Sequence, residues 1–155
     1  MRQRELIGNE SGVATVEFAI TASFFFMMLI AVVAGGHLFW THNALVEATR
    51  RGGRYAANQC KPDLAGCANS STTPARVKNV VLYNSSTTGT TPFVPNLQAS
   101  NVTVTYSNNY GVAQGTVSVK IENYQVSFFG FTRVLAPYET TVQGENAGYI
   151  PAVIP

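Results

Sequence analysis

The sequence predicts an α+β protein: a long N-terminal helix, membrane-spanning in its first half, packed on a small antiparallel β-sheet. Three observations predict it. From Phe18 to Val46 there is no Asp, Glu, Lys or Arg. The chain then continues without proline or a turn cluster through an amphipathic stretch as far as Ala57. From Val102 onward the apolar period changes to two, the signature of half-buried strands. Composition agrees. Of 155 residues, 46% are apolar and only 12% charged, against about 25% charged in typical soluble domains. That deficit argues against an ordinary solvated surface and against disorder. The length admits about one domain and excludes a multidomain enzyme. A net charge of +2 offers no basic field for nucleic acid.

The first element is the apolar helix. A span needs roughly 20 predominantly apolar residues, and the run from Phe18 to Trp40 reaches that length. Phe39 and Trp40 stand where an interfacial aromatic anchor would stand. A buried globular helix and a cleaved signal peptide are the alternatives, but a signal's apolar region is only about 7–15 residues long. Glu17 lies at the mouth of the run. A carboxylate costs about 2.5–3.5 kcal/mol at mid-bilayer and less near the headgroups, where it also favours the positive end of the helix dipole. If the chain is cut after Gly12, a new amino group appears on Val13, one helical turn from Glu17. Paired between neighbouring helices, the two charges would fix the axial register of an assembly.

The segment Gly12-Val13-Ala14-Thr15-Val16-Glu17-Phe18 before an apolar helix resembles the cleavage motif of type IVb prepilins of the Flp kind. The later order Ala48–Ala57, Arg76–Tyr83, Pro92–Pro95 and Asn101–Thr105 resembles the TadE-like proteins of tight-adherence pilus systems. The resemblance covers roughly residues 10–146 and implies a pilin-like fold. It implies a minor pilin or pseudopilin acting in pilus assembly and surface adhesion. A prepilin peptidase would cut between Gly12 and Val13, with Glu17 and Phe18 as the glutamate and aromatic of the processing motif. Further partners would be the major pilin, other minor pilins and inner-membrane pilus assembly proteins. The chain would sit in the inner membrane as a single pass, its C-terminal domain periplasmic, with incorporation into the extracellular pilus as one outcome. The expected division is a leader (1–12), a transmembrane assembly helix (13–40), its periplasmic extension (41–58) and a soluble domain (59–155). Arg50, Arg51 and Arg54 follow the span while only Arg2 and Arg4 precede it. A plain positive-inside count would reverse this topology, but long domains translocate largely regardless of charge.

Within the helix, Gly52-Gly53 reads either as a breaker or as a place of close packing, and Gly35-Gly36 as a bend, a close helix contact or a tolerated small pair. His37 and His42 are five apart, not the three or four that bring two rings to one metal, so neither metal nor cofactor is expected. The only cysteines, Cys60 and Cys67, bracket a turn-rich stretch. Beside an exported segment an even count reads as a disulfide. A free thiol pair and half of a zinc site are the alternatives, and zinc would need two further ligands that have no suitable pair here.

The soluble domain follows. Thr73-Pro74 reads as an N-cap and a first-turn proline, opening a short helix over Arg76–Tyr83 for which a strand is the alternative. Residues 84–92 read as a low-complexity linker. Strands are expected at Val102–Tyr106 and Thr116–Glu122, with weaker third and fourth strands at Tyr124–Phe128 and Tyr138–Val142. Such a sheet needs a packed face, and the amphipathic half of the long helix supplies it. Phe128-Phe129-Gly130-Phe131 reads as core packing between sheet and helix, with an exposed patch as the alternative. No phosphate loop, nucleophile elbow or His-Glu-x-x-His motif occurs, so catalysis is not expected. A different class stays open: an uncleaved single-span envelope protein whose exported domain binds a partner or ligand.

Overall fold

A computed structural model describes residues 10–59, 74–107, 115–128 and 130–144. Helix α1 (Glu10–Ala57) is followed by α2 (Pro74–Tyr83), a 3-10 turn (Ala99–Asn101) and strands β1 (Val102–Tyr106), β2 (Thr116–Ile121), β3 (Gln125–Phe128), β4 (Phe131–Val134) and β5 (Tyr138–Gln143). This is the expected α+β architecture. The chain divides between Phe39 and Trp40 into two compact units.

In the first unit, α1 carries an apolar surface on every side. Val13, Phe18, Phe24, Met28 and Val32 are all exposed. The hydroxyls within this stretch turn back on the helix: Thr21 Oγ1 donates to the Glu17 carbonyl at 2.9 Å and Ser23 Oγ to the Ala19 carbonyl at 2.8 Å. Such bonds satisfy a polar side chain without solvent. The helix runs through Gly35-Gly36 without interruption.

In the second unit, the C-terminal part of α1 packs through one stripe. Thr41, Ala44, Leu45, Ala48, Thr49, Gly52, Gly53, Ala56 and Ala57 are buried, the three- and four-residue spacing of a single helix face. All but Leu45 are small, so the helix approaches the sheet closely. A methyl group at Gly52 would overlap Val81 Cγ2 and lie 3.5 Å from Val119 Cγ1, and one at Gly53 would lie 2.9 Å from Val142 Cγ2. The Gly52-Gly53 pair therefore serves close packing, and the helix does not break there.

The sheet under this stripe has the order β1-β2-β5, antiparallel throughout. Its register pairs Val104 with Val119 and Val119 with Thr140. Val117, Val119 and Ile121 alternate inward from β2 and join Leu45, Ala48, Val77 and Val81 in one core. The region read as helix or strand is helical: Val77, Val80, Val81 and Leu82 of α2 are buried. Asn84, at φ 55°, ends the helix in the left-handed conformation, its N–H bonded to the Val80 carbonyl.

Two expectations need correction. The third and fourth strands do not extend one sheet: β5 pairs with β2, whereas β3 pairs with β4, a strand the sequence did not predict, in a separate two-stranded ribbon. The aromatic cluster does not act as core throughout: Phe129 lies outside the described residues, Phe128 is half-buried and Phe131 is not buried. Phe128 and Phe131 face each other across the ribbon's tight turn, with Gly130 at φ 81°, and Phe131 is 82% exposed. Positive φ at the turn of a tight hairpin is a conformation glycine supplies without steric cost, and Phe128 beside it is half-buried.

Candidate functional site: the start of the helix and a polar groove

The residues read in the sequence as a processing motif lie in the first turns of α1. Gly12, Val13, Val16, Glu17 and Ile20 share one face of the helix. The four-residue spacing of Val13 and Glu17 thus puts both on one face, as the sequence requires. Phe18 lies off this face and is 73% exposed. The Gly12–Val13 bond is helical, but within the first turns, where backbone N–H groups lack intrahelical partners and the helix opens most easily. Beyond this face the helix contains a window of mean hydropathy 2.3, none of it buried, and is long and apolar enough to cross a membrane.

The C-terminal part of α1 is joined to the sheet by polar contacts as well as by its small residues. His42 Nδ1 and the Tyr138 hydroxyl lie 2.9 Å apart, with their rings edge to face, and burial raises the Tyr138 pKa. The hydroxyls of Thr49 and Thr140 are 2.8 Å apart. His42 is therefore a packing residue, and among the described residues no cluster of His, Cys, Asp or Glu could hold a metal. The three arginines differ. Arg50 and Arg54 are exposed, while the Arg51 guanidinium stacks 4.9 Å from the Phe93 ring centroid. Cys60 and Cys67 lie outside the described residues.

A second feature was not anticipated. Asn96, Gln98, Asn101, Asn123, Gln125, Ser127 and Thr132 line a cavity of about 460 Å³ in the second unit. Its walls are tied together. Asn101 Nδ2 donates to the carbonyls of Glu122 and Asn123 at 3.0 and 3.1 Å, and its Oδ1 accepts the Gln98 N–H. The Tyr124 hydroxyl donates to the Pro95 carbonyl at 2.7 Å, and burial raises its pKa. Asn96 and Asn123 both adopt positive φ, 62° and 56°, a conformation asparagine tolerates better than most residues. The sequence offered one signal for this site, the density of carboxamides in 96–101 and 123–125, but no periodicity joins the two segments.

Residues 12–54 match the family model described as TadE-like protein. No curated protein and no solved structure matches the chain. The matched stretch runs from Gly12 to Arg54 and ends before the sheet begins. It takes in the motif residues Val13, Glu17 and Phe18, the apolar helix and the small-residue stripe up to Gly53. The resemblance read from the sequence therefore holds where motif and helix coincide: over residues 12–54 this chain is similar to the TadE-like family.

Proposed function

We propose that this chain is a minor pilin or pseudopilin of a tight-adherence, Flp-type IVb pilus system. It is made as a prepilin, anchored in the inner membrane by the first half of α1 with its soluble domain periplasmic, and cut by prepilin peptidase between Gly12 and Val13. The match of residues 12–54 to the TadE-like family carries this reading, because one stretch combines the processing motif with an apolar helix of spanning length.

The chemistry follows from the face shared by Val13 and Glu17. Cleavage leaves an ammonium on Val13 and a carboxylate on Glu17 at one end of an apolar rod. Each is costly alone in lipid and less costly when paired. A pair formed with a neighbouring helix is satisfied at one axial offset, so the charges set register while the exposed Phe, Met and Val side chains supply area. Those side chains pass from lipid to neighbouring helices without meeting water. The prepilin peptidase, the major pilin, other minor pilins and the inner-membrane assembly proteins are the partners this role requires. A Cys60–Cys67 disulfide would close a short loop in the oxidising periplasm, worth about 2–3 kcal/mol on the chain-entropy account.

The deciding experiment is the N-terminus of the protein recovered from membranes, by intact mass and terminal peptide sequencing. A chain beginning at Val13 is expected. A chain still beginning at Met1 in cells with an active peptidase overturns the reading in favour of an uncleaved, membrane-anchored envelope protein.

A further inference from the structure

We propose that the cavity between the 96–101 segment and the β3–β4 ribbon binds a neutral carbohydrate, an activity of the soluble unit that does not depend on the pilus reading. Ligand cavities of about 300–1,000 Å³ are ordinarily apolar with a few polar groups. This one, at about 460 Å³, reverses that balance: the Asn96, Asn123 and Gln125 carboxamides near a Ser and a Thr hydroxyl, with the Gln98 and Asn101 amides engaged in the frame. A carboxamide presents donor and acceptor together, and a hydroxyl both donates and accepts. Sugar hydroxyls have the same dual character, so each can be matched on both sides.

The groups are available. The side chains of Asn96, Asn123, Gln125, Ser127 and Thr132 form no hydrogen bond among the described residues, whereas Asn101 is fully used in the frame. They are also placed on one side. The ribbon register sets Ser127 opposite Thr132, and Gln125 lies two residues from Ser127, so all three share a face of the ribbon. Val126, on the opposite face, packs against the core and fixes which face looks into the cavity. Arg133 is paired with Val126 and so lies on that opposite face too.

Charge decides the ligand class. No lining side chain is ionised, and the nearby Glu122 carboxylate is engaged by Lys120 at 2.8 Å. Among the described lining residues a phosphate, sulfate or sialate would find no cation, and an ammonium no anion. An apolar peptide side chain would desolvate unpaired amides at a cost. A neutral polyhydroxylated ring meets neither penalty. The walls are held before binding by the Asn101 bridges and the Tyr124–Pro95 bond, which lowers the ordering cost of association.

The test uses the full chain in a detergent without a sugar headgroup, because alkyl glycosides would compete. It is applied to an array of immobilised neutral oligosaccharides alongside sialylated and sulfated ones, with titration of the neutral glycans retained. Binding to neutral glycans that does not weaken with added salt is expected. Gln125→Ala and Thr132→Val should each weaken it by about five- to tenfold with unchanged thermal unfolding, since both residues are exposed on strands and neither side chain has a partner among the described residues. Absence of binding to every neutral glycan, retention of charged glycans alone, or binding that both variants leave intact would each overturn the proposal.

Discussion

At the scale of single residues, glycine position separates two roles that the sequence leaves alike. Gly52 lies against Val81 and Val119, whereas a side chain at Gly36 would meet nothing within 4 Å. Gly52→Ala gains about 1 kcal/mol of helix propensity but forces a methyl into a filled core, which typically costs about 1–3 kcal/mol. The overlap with Val81 makes the second effect the larger, so Gly52→Ala should lower the thermal unfolding midpoint, and Gly36→Ala should not. Calorimetry of both variants in micelles checks the contrast. Glu122 supplies a pH test. Its hydrogen bond with Lys120 and that residue's positive charge hold its pKa below the ordinary 4.5. A carboxylate with a lowered folded-state pKa adds stability that is present above the unfolded value and is lost as pH falls through the folded one. Glu122→Gln should therefore reduce stability slightly at neutral pH and flatten its fall below about pH 4.5, measured by urea unfolding across pH. The segment proposed as a processing motif stands out in the sequence because it consists of identities at fixed spacing, Gly12, Val13, Glu17 and Phe18. The groove does not, because Asn101 and Asn123 acquire meaning only through the hydrogen bond that joins them.

Among the elements, legibility followed apolar alternation. β1 and β2 announce themselves through Val102, Val104, Val117, Val119 and Ile121, and α2 through Val77, Val80 and Val81. β4 has no inward-facing residue: all four of its positions are exposed, so a two-residue period has nothing to act on. The hairpin turn was visible only as Gly130, and the surrounding phenylalanines suggested burial instead. The helix stripe shows the complementary failure. Its periodicity is regular, yet Thr41, Ala44, Ala48, Thr49 and Ala56 carry little hydrophobicity, and only Leu45 is large. That one residue bears much of the contact. It is fully buried, and Leu45→Ala should cost about 2.7–5 kcal/mol, read as a loss of the cooperative unfolding transition at moderate denaturant. Tyr124→Phe removes the hydroxyl donated to Pro95 and should cost about 1 kcal/mol, while loosening one wall of the groove.

For the whole molecule, two kinds of surface share one chain. The first unit exposes large apolar side chains from Val13 to Phe39, an area far beyond what monomeric soluble proteins tolerate, and the second buries a core of ordinary composition. The full chain should therefore partition into the detergent phase on extraction. Under the proposed pilin role, a Glu17→Ala variant should still insert but assemble poorly into filaments, scored by pili sheared from cells; normal assembly would remove the registry role from Glu17. The overall plan was legible because a charge-free run of spanning length leaves few alternatives. The division of the strands into two sheets was not, since nothing local says which strand β5 will join.

Within the second unit, α1 and β5 run side by side in the same sense, His42 against Tyr138, Thr49 against Thr140 and Gly53 against Val142. A tension applied along the helix at Trp40 therefore reaches the sheet as shear. The contacts resist together instead of peeling one after another, and side chains as short as Gly, Ala and Thr offer little slack to be drawn out first. The stripe that makes the helix look featureless in sequence makes it a stiff joint, within the second unit, between the helix and its sheet.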